Sequence, residues 1–156
     1  MVSELMLQQT QVNRVIPKYQ HFIEKYPTPQ KCSEAPPSSI IEEWEGLGYN
    51  KRAINLHRTS QLIVETHSGK VPNTLNELLE LPGIGPYTAR AILCFAFEQD
   101  VGVVDVNINR IISRVIGKML SPLEMQVTAD NFVPTGEGWI WNQALMDLGS
   151  EVCGSR

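Results

Sequence analysis

Three short stretches of the sequence carry residue types that could do chemistry. Leu81-Pro82-Gly83-Ile84-Gly85-Pro86-Tyr87-Thr88 places two glycines in a turn, with Pro86 set to open a helix. Glycines there admit positive φ and let a second backbone approach closely. The following helix would aim unpaired N–H groups and the positive end of its dipole across the turn, which suits a phosphate. The same pattern also suits a plain corner between two helices, anchored in the core by Leu81 and Ile84, and the glycines alone weigh both equally. Val103-Val104-Asp105-Val106-Asn107-Ile108 ends an apolar run on a carboxylate where a helix begins. Asp105 reads first as an N-cap, a role worth about 1 kcal/mol. A carboxylate on a helix N-terminus also stays ionised and available for other work. In Ser3-Glu4-Leu5-Met6-Leu7-Gln8-Gln9-Thr10-Gln11, Glu4 lies beside an apolar stripe. The four amide or hydroxyl side chains that end this stretch cannot all face solvent on one helix. Taken alone, it reads as a polar helix surface with Glu4 on the dipole.

The elements that must position these residues are helices. Apolar residues from Val2 to Tyr26 recur at steps of three and four, and Pro17 is expected to divide that stripe into two helices. Residues 27–37, with four prolines, read as a linker. Ser39 with Glu42 and Thr74 with Glu77 have capping-box spacing, and Gly46 to Gly48 form a stop between them. Further helices are expected over 50–68, from Leu75 through Leu79, from Pro86 through Ala96, and near 107–117, 122–131 and 139–149. Val101 to Val104 is the single strand-like run, too short to build a sheet. The fold class is all-α.

Composition sets outer limits. The chain has 156 residues, 42% hydrophobic and 19% charged, which suits a globular core and excludes a disordered chain. No apolar run approaches the roughly 18 residues of a membrane span, and no signal peptide is visible. Cys32, Cys94 and Cys153 are odd in number and far apart, so they offer neither a disulfide framework nor a CxxC metal pair. A reducing compartment, the cytoplasm, is expected. The net charge is −4, yet residues 1–120 hold 12 Lys/Arg against 12 Asp/Glu, so the deficit lies wholly in the C-terminal segment. A local basic face remains open to the body of the chain.

Together these stretches resemble the helix-hairpin-helix DNA glycosylases of base excision repair, closest to the MutY-like adenine branch. The matching pieces are Ser3 to Val12, Trp44-Glu45-Gly46-Leu47-Gly48-Tyr49, Leu81 to Gly85, Val104-Asp105-Val106-Asn107 and Asn142 to Gly149, in family order. The resemblance implies two helical lobes with the active cleft between them: residues 1–100 as a six-helix lobe carrying the hairpin, and 101–156 as a partial second lobe. It implies a chain truncated at both ends, without the helix before the Glu4 segment, the iron–sulfur loop, or the separate domain that recognises 8-oxoguanine. Cys153 matches the first of four cluster cysteines, so no cofactor is expected in this chain, and a [4Fe–4S] cluster only in a full-length form.

The implied reaction breaks the N-glycosidic bond of adenine mispaired with 8-oxoguanine or guanine. Such a cleavage needs an acid for the departing base and a carboxylate for the sugar cation. By resemblance Glu4 is the acid, with a pKa raised by burial, and Asp105 the stabilising carboxylate. Gln8, Gln9 and Thr10 form a DNA-contacting run, with Gln9 wedged into the place the flipped base vacates. Tyr49 packs near the opposite base, Gln143 reads the flipped base, and Asn107 in the Asp105 motif is expected at the substrate. Asn50 replaces a second tyrosine common after Tyr49. The hairpin N–H groups of Gly83 and Gly85 hold phosphate, with Arg90, Arg110, Lys51 and Arg52 as supports or as ordinary surface charges. Tyr87 stands where bifunctional relatives carry a Schiff-base lysine, and a phenol forms no imine, so release is expected to be hydrolytic. The expected partner is duplex DNA holding a mispair, bound by a monomer outside any membrane and associated with the nucleoid in a prokaryote. A thymine or uracil mismatch glycosylase of the same fold, or a non-catalytic DNA-binding remnant, are the alternatives.

Overall fold

The computed structural model describes residues 1–154. Ten α-helices account for the regular structure among these residues, with no strand: α1 (Val2–Leu7), α2 (Val12–Lys25), α3 (Pro29–Glu34), α4 (Pro37–Glu43), α5 (Lys51–Thr66), α6 (Leu75–Leu79), α7 (Pro86–Phe97), α8 (Val106–Ile116), α9 (Pro122–Phe132) and α10 (Gly138–Glu151). The all-α expectation holds. The chain divides into two compact units, Met1–Thr88 and Ala89–Arg156, so the division falls inside α7.

In the first unit α5 is the central helix, packed by α1, α3 and α4. Leu5 and Met6 of α1, Phe22 of α2, Ile40 of α4 and Leu56 and Ile63 of α5 are fully buried with Trp44 and Leu78. The break between α1 and α2 falls at Gln8 to Gln11 and not at Pro17, which lies inside α2. Pro17 and Asn13 are both exposed residues of α2, so the N–H that proline lacks is missing on the solvent side of the helix. The stretch expected as a linker holds α3, because Thr28 caps it by accepting from the Lys31 N–H and Pro29 fills its first turn. Ser39 does not cap α4, which starts two residues earlier at Pro37. Thr74 does cap α6, its hydroxyl accepting from the Glu77 N–H and donating to the Glu77 carboxylate.

In the second unit Ile108, Ile112, Met125 and Ala129 form one apolar cluster, and Ala91, Cys94 and Val103 another, with Met146 packed against both. Helix α8 runs from the Asp105 cap to Gly117, whose φ of 77° supplies the left-handed residue that ends it. A reciprocal box of Ser121 and Glu124 opens α9.

Candidate active site

The helix α1 is short because the chain turns sharply at Gln8, and Glu4 sits in its middle on the half-buried side, next to the fully buried Leu5. Burial raises the Glu4 carboxyl above its ordinary pKa of 4.5, outweighing the opposite pull of the Met1 amine. A carboxylic acid that keeps its proton to higher pH is what general-acid chemistry requires.

Beyond α1, the Gln8 side-chain amide donates to the Thr88 hydroxyl at 3.3 Å, tying this loop to the first turn of α7. Gln9 is exposed at φ 56° and Tyr49 at φ 49°, two residues other than glycine in the left-handed region. Tyr49 presents two-thirds of its surface to solvent. The Thr10 hydroxyl faces the carbonyls of Gln8 and Leu47, each at 3.3 Å. So Gln8, Gln9, Thr10 and Tyr49 come together in one place on the first unit.

The agent that joins them is Arg52, expected from the sequence as a phosphate support or an ordinary surface charge. It is buried, 8% exposed. Its guanidinium shares the two N–H groups of Nη1 among the carbonyls of Leu5, Met6 and Gln8, and the two of Nη2 among the Thr10 hydroxyl and the carbonyls of Leu47 and Gly48. No donor of either Nη remains for a phosphate. The missed signal is helical spacing, since Arg52, Leu56, Ser60 and Ile63 share one buried face of α5.

The hairpin joins α6 to α7 through Glu80 to Gly85. Gly83 takes φ 81°, and a Cβ there would lie 2.8 Å from the Asn55 side-chain nitrogen, so both the conformation and the space call for glycine. Gly85 has open space around it. The Thr59 hydroxyl holds the Pro82 carbonyl at 2.9 Å, and the Ile84 N–H closes the turn on Leu81. Tyr87, in the first turn of α7, is 38% exposed.

In the second unit Asp105 caps α8: one carboxylate oxygen accepts from the Ile108 N–H at 2.7 Å, the other from the Asn107 side-chain amide at 3.1 Å. Asn107 in turn accepts from Arg110 Nη2, which also donates to the Gly149 carbonyl, while Arg110 Nε donates to the Cys153 carbonyl. Asn107 and Arg110 thus brace the carboxylate and tie α8 to α10, and Arg110 is not an unattached surface charge. Neither is Arg90, paired with Asp130 at 2.6 Å. Lys51 is exposed. Gln143 donates to Asp147 along α10 at 3.0 Å. Sequence reasoning missed Asn142, which is fully buried, accepts from the Val103 N–H and donates to the carbonyls of Val101 and Gly138, tying the segment that precedes Asp105 to α10.

The thiols do not fit a four-thiolate cluster. Cys153 accepts from Arg114, Cys94 is buried against Gly138 and Asn142, and no group of three or more metal-ligating side chains exists among the described residues.

A family model described as HhH-GPD superfamily base excision DNA repair protein matches residues 2–131. An adenine DNA glycosylase of Mycolicibacterium smegmatis is 39% identical over the whole of this chain, which covers 55% of that protein. Another from Buchnera aphidicola is 39% identical over 97% of this chain and is covered to 44%, while the Homo sapiens adenine DNA glycosylase is 40% identical over 97% and covered to 29%. The chain therefore spans about half the length of the bacterial relatives it matches. Among solved structures, a thermostable thymine-DNA glycosylase superposes with a TM-score of 0.92 at 28% identity, over 99% of this chain and 74% of that one. A trapped endonuclease III–DNA intermediate gives 0.89 at 24% identity over the same shares, a likeness of fold.

Proposed function

The chain belongs to the HhH-GPD superfamily of base excision DNA repair proteins, and on that footing we propose that it hydrolyses the N-glycosidic bond of adenine mispaired with 8-oxoguanine or guanine in duplex DNA. The observation that carries this reading is Glu4, a half-buried carboxyl whose pKa burial raises, beside the loop that presents Gln9. Support also comes from adenine DNA glycosylases 39–40% identical across nearly all of the chain. In this scheme Glu4 gives its proton to N7 of a flipped-out adenine as the C1′–N9 bond breaks. The neutral base departs, and the Asp105 carboxylate stabilises the positive sugar. Water then adds at C1′ and returns a proton to Glu4, so the acid is regenerated. Gln9 fills the vacated stack, Tyr49 packs by the opposite base, and Gln143 reads the extruded base. Gly83 and Gly85 offer N–H groups to a phosphate. Tyr87 supplies no amine, so the product is an intact abasic site.

The test is an excision assay on duplexes with adenine opposite 8-oxoguanine or guanine, and thymine or uracil opposite guanine. Adenine release is expected, with strand breakage only after alkali. Release of thymine or uracil with adenine untouched would overturn the substrate assignment. Breakage without alkali would overturn the hydrolytic one.

A further inference from the structure

We propose that Arg52 is a positioning residue that sets two of the left-handed residues, Gln9 and Tyr49, with one guanidinium, so that the two loops meet the duplex as one reading edge. The inference rests on the duplex-binding reading above. Both residues take positive φ without being glycine, at 56° and 49°. Rotation of the preceding peptide plane fixes a residue's φ, so the carbonyl just before each strained residue is the lever that matters. Arg52 holds both levers. Its Nη1 donates to the Gln8 carbonyl at 2.6 Å, and its Nη2 to the Gly48 carbonyl at 3.0 Å. The same two nitrogens reach the Leu5, Met6 and Leu47 carbonyls, so each loop is gripped at more than one point. Thr10 bridges the pair, accepting from Nη2 while its own hydroxyl faces Gln8 and Leu47. The fork is fixed in direction by the Trp44 and Tyr49 rings, each 5.6 Å from the guanidinium carbon. A lysine cannot copy this, because a single ammonium is a point donor and the acceptors form two sets. A buried arginine with no functional part would equally fill space. It would not make Gln9 and Tyr49 depend on each other.

That dependence is the measurement. Affinity for a duplex with adenine opposite 8-oxoguanine is compared with a matched duplex for the unmodified chain, Gln9→Ala, Tyr49→Ala and the double variant, then again with Arg52→Lys added to each. In the unmodified background the two losses should be coupled by about tenfold. With Arg52→Lys the coupling should vanish and mispair preference should fall, while circular dichroism reports an intact helical fold. Coupling that survives in folded Arg52→Lys overturns the proposal. A second arm needs no variant and no DNA: native-state hydrogen exchange at the Thr10 and Leu47 amides, which close turns on Leu7 and Trp44. Equal opening free energies with equal denaturant dependence support one clamped unit, and independent opening overturns it, even if Arg52→Lys fails to fold. A chain with no mispair preference in any background sinks the duplex reading instead, and the exchange arm tells that failure from failure of the clamp.

Discussion

A carboxyl whose pKa burial raises costs stability whenever it loses its proton in that half-buried place, and Glu4 should show both consequences. Its folded pKa lies above the ordinary 4.5, so the folded chain binds the proton more tightly than the unfolded one. Below 4.5 both states are protonated and the penalty is absent. It grows as pH rises from 4.5 through the folded pKa and is complete above that. Glu4→Gln should therefore abolish excision while raising the melting temperature at pH 7, with the gain gone at pH 4. A variant that melts lower at both pH values would mark Glu4 as a structural carboxylate. Asp105 separates by a different pair of substitutions. Asp105→Ser keeps an N-cap and drops the charge, so it should fold as well as the parent and lose turnover. Asp105→Ala should lose both, at about 1 kcal/mol of stability. Full activity in Asp105→Ser would reduce the carboxylate to its capping bond with Ile108.

At the level of helices, the contact between α8 and α10 carries the sharpest steric demand. A Cβ on Gly149 would stand 2.5 Å from that of Asn107, which no rotamer can relieve. Gly149→Ala should force the two helices apart at a cost of about 1–3 kcal/mol, and it should lower turnover in the fraction that folds, because Asn107 braces Asp105. Retained rate and stability together would show that α10 does not set the position of that carboxylate. Most helices were legible because their apolar residues repeat at three and four and their ends carry Gly, Pro or hydroxyl residues. The hairpin and the Asp105 cap could be read for the same reason. Pro17 misled because its cost depends on whether solvent reaches one carbonyl, which is a fact of burial. The short α3 was hidden by proline count, although Thr28-Pro29 is a sound helix start. Arg52, Arg90 and Arg110 could be read as cations but not as internal donors, since their acceptors are carbonyls and side chains brought close only by folding.

Over the whole molecule that internal use of arginine bears on how a chain of net charge −4 would hold a polyanion. Three of the basic residues nominated for phosphate, Arg52, Arg90 and Arg110, hold partners inside their own unit, and the hairpin N–H groups are uncharged. Few counterions should then be released on binding, and affinity should fall only gently with salt. Lys51 is exposed. Lys51→Ala should flatten the plot of log affinity against log salt by about 0.9 if it meets a phosphate. Arg90→Ala should leave that slope unchanged and lower the melting temperature, because it breaks the pair with Asp130. A slope that drops with Arg90→Ala would return that residue to the DNA surface.

The clamp around Arg52 also comes with its own lamp. Trp44 is fully buried, its indole N–H has no hydrogen-bond partner among the described residues, and the Arg52 cation lies 5.6 Å from its ring, whereas Trp139 is 47% exposed. An indole so enclosed emits toward the blue and resists acrylamide, and a cation at its face tunes the colour. With Trp139 and Trp141 replaced by phenylalanine, Trp44 is the sole remaining emitter of the chain's three tryptophans. Any disturbance that shifts the guanidinium would then change the light the protein gives off, with no label attached.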